Sequence, residues 1–150
     1  DFQKFITCLC AMARIMAIDY GTKRCGIAVT DSLQTCAFGL DTVSPNDLLP
    51  FLKNYTSQEE VTHIVVGAPK QRDNTPSAVE IKITPFVAQL KTQLPEIDVV
   101  RHDERFTSKM AKQSLLMSGA PKKVRQKKEV IDKLSATLIL QGYLDQQQKL

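Results

Sequence analysis

The chain has little with which to build a soft-metal site. Its two histidines and four cysteines (Cys8, Cys10, Cys25, Cys36) form no CxxC pair and no metal-ligand spacing. That excludes a zinc centre and leaves reduced thiols as the simplest account of the cysteines. No apolar run approaches the roughly 18 residues of a membrane span. The amino-terminal stretch has neither a basic region nor a convincing cleavage site, so a signal peptide is not expected. There is also no internal repeat, linker or low-complexity tract. What is present is 150 residues, 43% hydrophobic and 24% charged, enough for one domain with a single core. Residues 1–12, which begin at Asp1, are read as an extension or expression remnant ahead of a start near Met12. Residues 13–150 are then the single domain.

Basic residues outnumber acidic ones 20 to 16, for a net charge of +4. The excess is modest, and its placement says more. Lys122-Lys123-Val124-Arg125-Gln126-Lys127-Lys128 holds five basic residues in seven positions. Such a segment releases counterions from a nucleic acid, although a solvated loop has the same composition.

Apolar patterning predicts strands at 14–19, 24–31 and 34–43, an antiparallel meander joined by a turn that carries Gly21 and Gly26. Ser44-Pro45-Asn46-Asp47 signals a helix start for 48–55. Strands follow at 63–66 and 96–101. A helix is expected from Thr75 to Leu94, kinked or split by Pro85. Further helices are expected at 107–117, closed by Ser118-Gly119-Ala120-Pro121, and at 127–143. Strands in a meander and then alternating with helices give an α/β fold, a mixed five-stranded sheet flanked by helices on both faces.

Three acids stand where a surface carboxylate is out of place. Asp19 ends the first strand, Glu104 follows the fifth, and Asp132 lies in an otherwise apolar helix. The carboxyl ends of strands are where open α/β sheets bind ligands. Adjacent strand residues point to opposite faces, so only one of Asp103 and Glu104 can aim at Asp19; Glu104 takes the active role. Asp31 is a turn cap, and His102 an ordinary packed or hydrogen-bonded histidine. Ser135 and Ala136 are small enough to leave room beside Asp132. Buried carboxylates need a compensating cation, and oxygen donors suit Mg²⁺ or Mn²⁺, which would activate water in phosphodiester cleavage. Gly67-Ala68-Pro69-Lys70-Gln71-Arg72 is a strand-to-helix loop at the same edge, able to hold a phosphate.

The segments Asp19-Tyr-Gly-Thr-Lys-Arg-Cys-Gly-Ile-Ala-Val29, Ile64-Val-Val-Gly-Ala-Pro69, Asp103-Glu-Arg-Phe-Thr-Ser108 and Ile131-Asp-Lys-Leu-Ser-Ala136 together resemble the YqgF family. The resemblance covers about residues 13 to 145. It implies a ribonuclease H-like fold and a cytoplasmic bacterial protein using Mg²⁺ or Mn²⁺. Family members are described as Holliday-junction resolvases and as nucleases that mature the 5′ end of pre-16S ribosomal RNA. The acidic set it implies is the one reached above: Asp19, Glu104 and Asp132. Two departures stand out. Asn74 replaces a usual Gly, and Lys133 beside Asp132 bears on metal affinity.

The expected activity is a metal-dependent nuclease on structured RNA. Lys23, Arg24, Lys70, Arg72, Arg105, Lys122, Lys123 and Arg125 would contact phosphates. Branched DNA is the alternative substrate, since carboxylates do not distinguish ribose from deoxyribose. Two other classes compete. The Asp-x-Gly-Thr turn also resembles the first phosphate loop of actin-like ATPases, which need two such domains. A non-catalytic nucleic-acid binder would keep the fold without needing all three acids. A junction resolvase would favour a homodimer, while RNA trimming suits a monomer.

Overall fold

The first strand, β1 (Arg14–Tyr20), is apolar at successive positions because it is covered on both faces. Met16 and Ile18 enter one core and Ile15 and Ala17 enter the other, as pleating requires. The computed structural model describes residues 13–68, 78–103, 116, 118–119, 121–125 and 127–148, the side chains at 124, 125 and 148 excepted. Around β1 lie β2 (Cys25–Thr30), β3 (Ala37–Val43), β4 (Val61–Ala68) and β5 (Asp98–Asp103). The sheet order is β3-β2-β1-β4-β5. β1–β2 and β2–β3 are antiparallel, whereas β1–β4 and β4–β5 are parallel. The expected meander followed by parallel strands is therefore what forms.

Helices α1 (Pro45–Gln58) and α2 (Glu80–Gln93) cover the Met16/Ile18 face through Leu48, Leu52, Ile83, Phe86 and Leu90. A short helix α3 (Lys122–Arg125) leads to α4 (Lys128–Gln148). α4 covers the Ile15/Ala17 face with Ala136, Ile139, Leu140 and Leu144. Among the described residues no helix is long and apolar enough to cross a membrane.

Local signals hold in most places. Ser44 caps α1, its hydroxyl accepting from the Asp47 amide. Gly119 has φ of 77° and its N–H donates to the Leu116 carbonyl, the stop signal read from 118–121. Pro85 does not split its helix: α2 runs through it. The carbonyl that loses its donor belongs to Ile81, whose side chain is exposed, so solvent can satisfy it. The third strand starts at Ala37 and not Gln34, because Gln34 adopts φ of 57° in the turn. The final helix reaches Gln148, past the expected end at 143. The loop after Ala68, the helix expected at 107–117 and residues 1–12 lie outside the described residues.

Asp31 builds the β2–β3 turn. Its carboxylate accepts from the Thr35 hydroxyl and from the Thr35 and Cys36 amides. The Thr35 hydroxyl bond is the largest cause, with the Cys36 amide next, and together they hold this carboxyl at about 2, below its ordinary 3.8. A depressed folded-state value stabilises the turn above about 3.8, and this contribution disappears as pH falls through about 2. An NMR titration of the Asp31 carboxyl carbon should show its midpoint near 2. A midpoint near 3.8 would refute the turn geometry.

Candidate active site at the sheet edge

One row of residues crosses three strands beneath the amino-terminal end of α4. Asp19 of β1 is the register partner of Gly26 in β2, and Gly26 is the partner of Thr42 in β3. By alternation with Ala17 and Ala28, Asp19 and Gly26 face α4. The helix is fixed over this row at two points. The Thr42 hydroxyl donates to the Glu129 carbonyl at 2.9 Å. At Gly26 the helix backbone occupies the space a side chain would take: a Cβ there would stand 2.0 Å from the Asp132 carbonyl oxygen. Gly26 thus places Asp132 beside the strand that carries Asp19.

Small residues make that approach possible. Ser135 and Ala136 are fully buried against the sheet opposite Ala17 and Ala28. Their small size lets the helix approach the sheet. The Ser135 hydroxyl has no hydrogen-bond partner among the described residues, which costs about 1–3 kcal/mol in a buried site. Gly39 of β3 receives the Lys133 stem, with the Lys133 Cβ 3.3 Å from where a Cβ would lie. Lys133 is therefore directed over β3, away from the Asp19 strand.

Arg24 meets Asp132 directly. Its Nε donates to Asp132 Oδ2 at 2.9 Å, across 108 positions of sequence. The two side chains keep 31% and 24% of their exposure, so the pair contributes about 1 kcal/mol or less. Arg24 was expected to contact phosphate, yet in this structure it neutralises a carboxylate. Lys23, in the same turn, is exposed, as are Lys122 and Lys123 in α3, just ahead of α4. Glu104, Lys70, Arg72 and Arg105 lie outside the described residues, as does the Arg125 side chain.

The described end of β5 bears on the choice between neighbouring acids. His102 faces α4, where a Cβ on Gly142 would stand 3.0 Å from its Nε2. It is a packed residue, as expected. Arg101 points the other way, bonding the Val66 and Gly67 carbonyls and both Glu80 carboxylate oxygens. Asp103 shares the face of Arg101 by alternation, opposite the face of Asp19. Glu104 is thus the member of this pair that keeps its candidacy. Arg101 escaped the sequence reading, because its partners lie on two other elements.

A divalent cation fits the chemistry of these donors. A cation, the Arg24 guanidinium, already rests against Asp132, and the candidate donors are carboxylate oxygens. The nearby thiol does not compete. Cys25 packs in the opposite core with Met16 and Ile18, and burial, with the charges of Asp19 and Asp132, pushes it up to about 11.

Comparison with known proteins agrees with this architecture. The model of the RuvX family, described as Holliday junction resolvase, matches residues 13–146. A Christiangramia forsetii protein is 50% identical over 133 residues, covering 89% of this chain and 98% of its own. A Phocaeicola vulgatus protein is 52% identical over 134 residues, covering 89% of this chain and 96% of its own. Both carry the name "Putative pre-16S rRNA nuclease". The structure of T. thermophilus RuvC in complex with a Holliday junction substrate aligns with a TM-score of 0.53 at 15% identity, covering 91% of this chain and 96% of that one. At that identity the likeness establishes the ribonuclease H-like fold and nothing finer. From its motifs, its sheet order and a match along nearly its whole length, the chain belongs to the RuvX family, the YqgF family of the sequence resemblance, and with it to the phosphodiester-cleaving enzymes.

Proposed function

We propose that this protein cleaves structured RNA in a reaction dependent on Mg²⁺ or Mn²⁺, acting in the cytoplasm at the 5′ end of pre-16S ribosomal RNA. The observation that carries the reading is the row beneath α4. Gly26 seats the Asp132 backbone beside the strand of Asp19, bringing two distant carboxylates to one face of one sheet edge. The names of the relatives supply the substrate.

Asp19 and Asp132, with Glu104, would hold the ions. Such ions activate a water and neutralise charge at the phosphate and the leaving oxygen. The chain's own groups position the substrate. Lys23 and Arg24 border Asp19, while Lys122, Lys123 and Arg125 precede Asp132, so a backbone crossing this end meets cations on both sides. Lys70, Arg72 and Arg105 would extend that track. The backbones at Asp19 and Asp132 are held by strand register and helix packing, which limits the rearrangement needed when substrate arrives.

Branched DNA is the second reading, favoured by the description of the matching family. The purified protein should be incubated with a 5′-extended 16S precursor RNA and with a four-way DNA junction, in Mg²⁺, Mn²⁺ and EDTA. Metal-dependent cleavage confined to the RNA supports the proposal. Paired symmetric nicks in the junction, with intact RNA, would transfer the function to resolution.

A further inference from the structure

We propose that Arg24 is a resident counter-ion that a divalent cation displaces from Asp132, so that metal loading frees Arg24 for the substrate phosphate. This rests on the reading of Asp132 as a metal ligand.

The Arg24 Nε holds Asp132 Oδ2 at 2.9 Å. One guanidinium cannot keep that charge-assisted bond and also serve a phosphate with the same donor. Nor does an oxygen occupied by an N–H donor offer that lone pair to a metal. Asp132 keeps its other oxygen and Arg24 its other N–H groups, so the competition is one of charge: a divalent ion on this carboxylate sets a second positive charge beside the guanidinium and weakens its hold. Both its members are well anchored in the backbone: Asp132 by Gly26, and Arg24 through its carbonyl, which lies 2.3 Å from where a Cβ on Gly21 would stand. The Arg24 side chain, 31% exposed, is the part free to move. Since arginine is not deprotonated in proteins, exchange occurs by displacement and not by titration. Substrate and metal would then bind with positive coupling, because the metal makes the phosphate contact available.

The alternative is that Arg24 permanently orients Asp132, and the two ideas predict opposite signs. Mn²⁺ binding without nucleic acid, followed by electron paramagnetic resonance, separates them. If Arg24 competes, Arg24→Ala binds Mn²⁺ roughly fivefold more tightly than wild type, the size expected of a part-exposed charged pair. In an Asp132→Asn background the same substitution produces no tightening. With wild-type protein, Mg²⁺ titration should move the Arg24 Nε–H resonance, assigned by its absence in Arg24→Ala. Equal or weaker Mn²⁺ binding by Arg24→Ala, or an Nε–H signal unmoved at Mg²⁺ saturation, overturns the exchange. If Asp132→Asn and Asp19→Asn both bind Mn²⁺ like wild type, the metal-site reading itself fails, and the exchange with it. Thermal unfolding in EDTA should accompany each variant, so that a change in affinity is read only from folded protein.

Discussion

Asp19→Asn should abolish cleavage while leaving the fold intact. The substitution is nearly isosteric and keeps an oxygen acceptor, so thermal unfolding should shift by no more than a few degrees. The turnover rate should fall on the order of a thousandfold, because a neutral amide cannot supply the charge that holds a divalent ion worth several kcal/mol at the transition state. Asp132→Asn should act in the same direction. It also removes the Arg24 ion pair, so a small loss of stability should accompany the loss of rate. The two effects should not add, since carboxylates that hold the same ions act as a unit. Cleavage by Asp19→Asn within tenfold of wild type at saturating Mg²⁺ would remove Asp19 from the chemistry.

The second large effect is structural. A methyl group at position 26 would stand 2.0 Å from the Asp132 carbonyl oxygen and 2.4 Å from its carbon. These are backbone atoms of a helix packed along its length on the sheet, so no flexible side chain can yield. Gly26→Ala should cost about 3 kcal/mol or more, the upper end for overpacking, because the contact is with backbone. Surviving folded protein should bind Mn²⁺ poorly, because relief requires α4 to lift Asp132 away from β1. Gly39→Ala is the control. Its Cβ would meet the Lys133 Cβ at 3.3 Å, a contact that a shift of a few tenths of an ångström between strand and helix relieves. That variant should lose about 1 kcal/mol or less. Urea unfolding of both variants checks the contrast; equal midpoints would mean that α4 is not held by Gly26.

Positions that report a period were readable from the chain. The unbroken apolar run Ile15, Met16, Ala17 and Ile18 marked a buried strand, and strand alternation separated Glu104 from Asp103. β5 agrees on Asp103: it follows His102, which faces α4, and shares the face of Arg101. The carboxylates themselves were conspicuous because they interrupt apolar runs. The role of Pro85 was not readable, because a missing N–H matters only where the orphaned carbonyl is cut off from water, and here Ile81 is exposed.

Sequence by itself determined the sheet with its mixed pairing, the family and the candidate acids, since period and motif are properties of neighbouring residues. Only the tertiary structure decided that the Asp132 backbone fills the space above Gly26, that Lys133 turns toward Gly39, and that Arg24 is held by a carboxylate 108 positions away. Contacts of this kind depend on how closely a separate helix can approach the sheet. That distance is set jointly by the small residues on both surfaces, Gly26, Ala28, Ser135 and Ala136, and no local pattern along the chain encodes it.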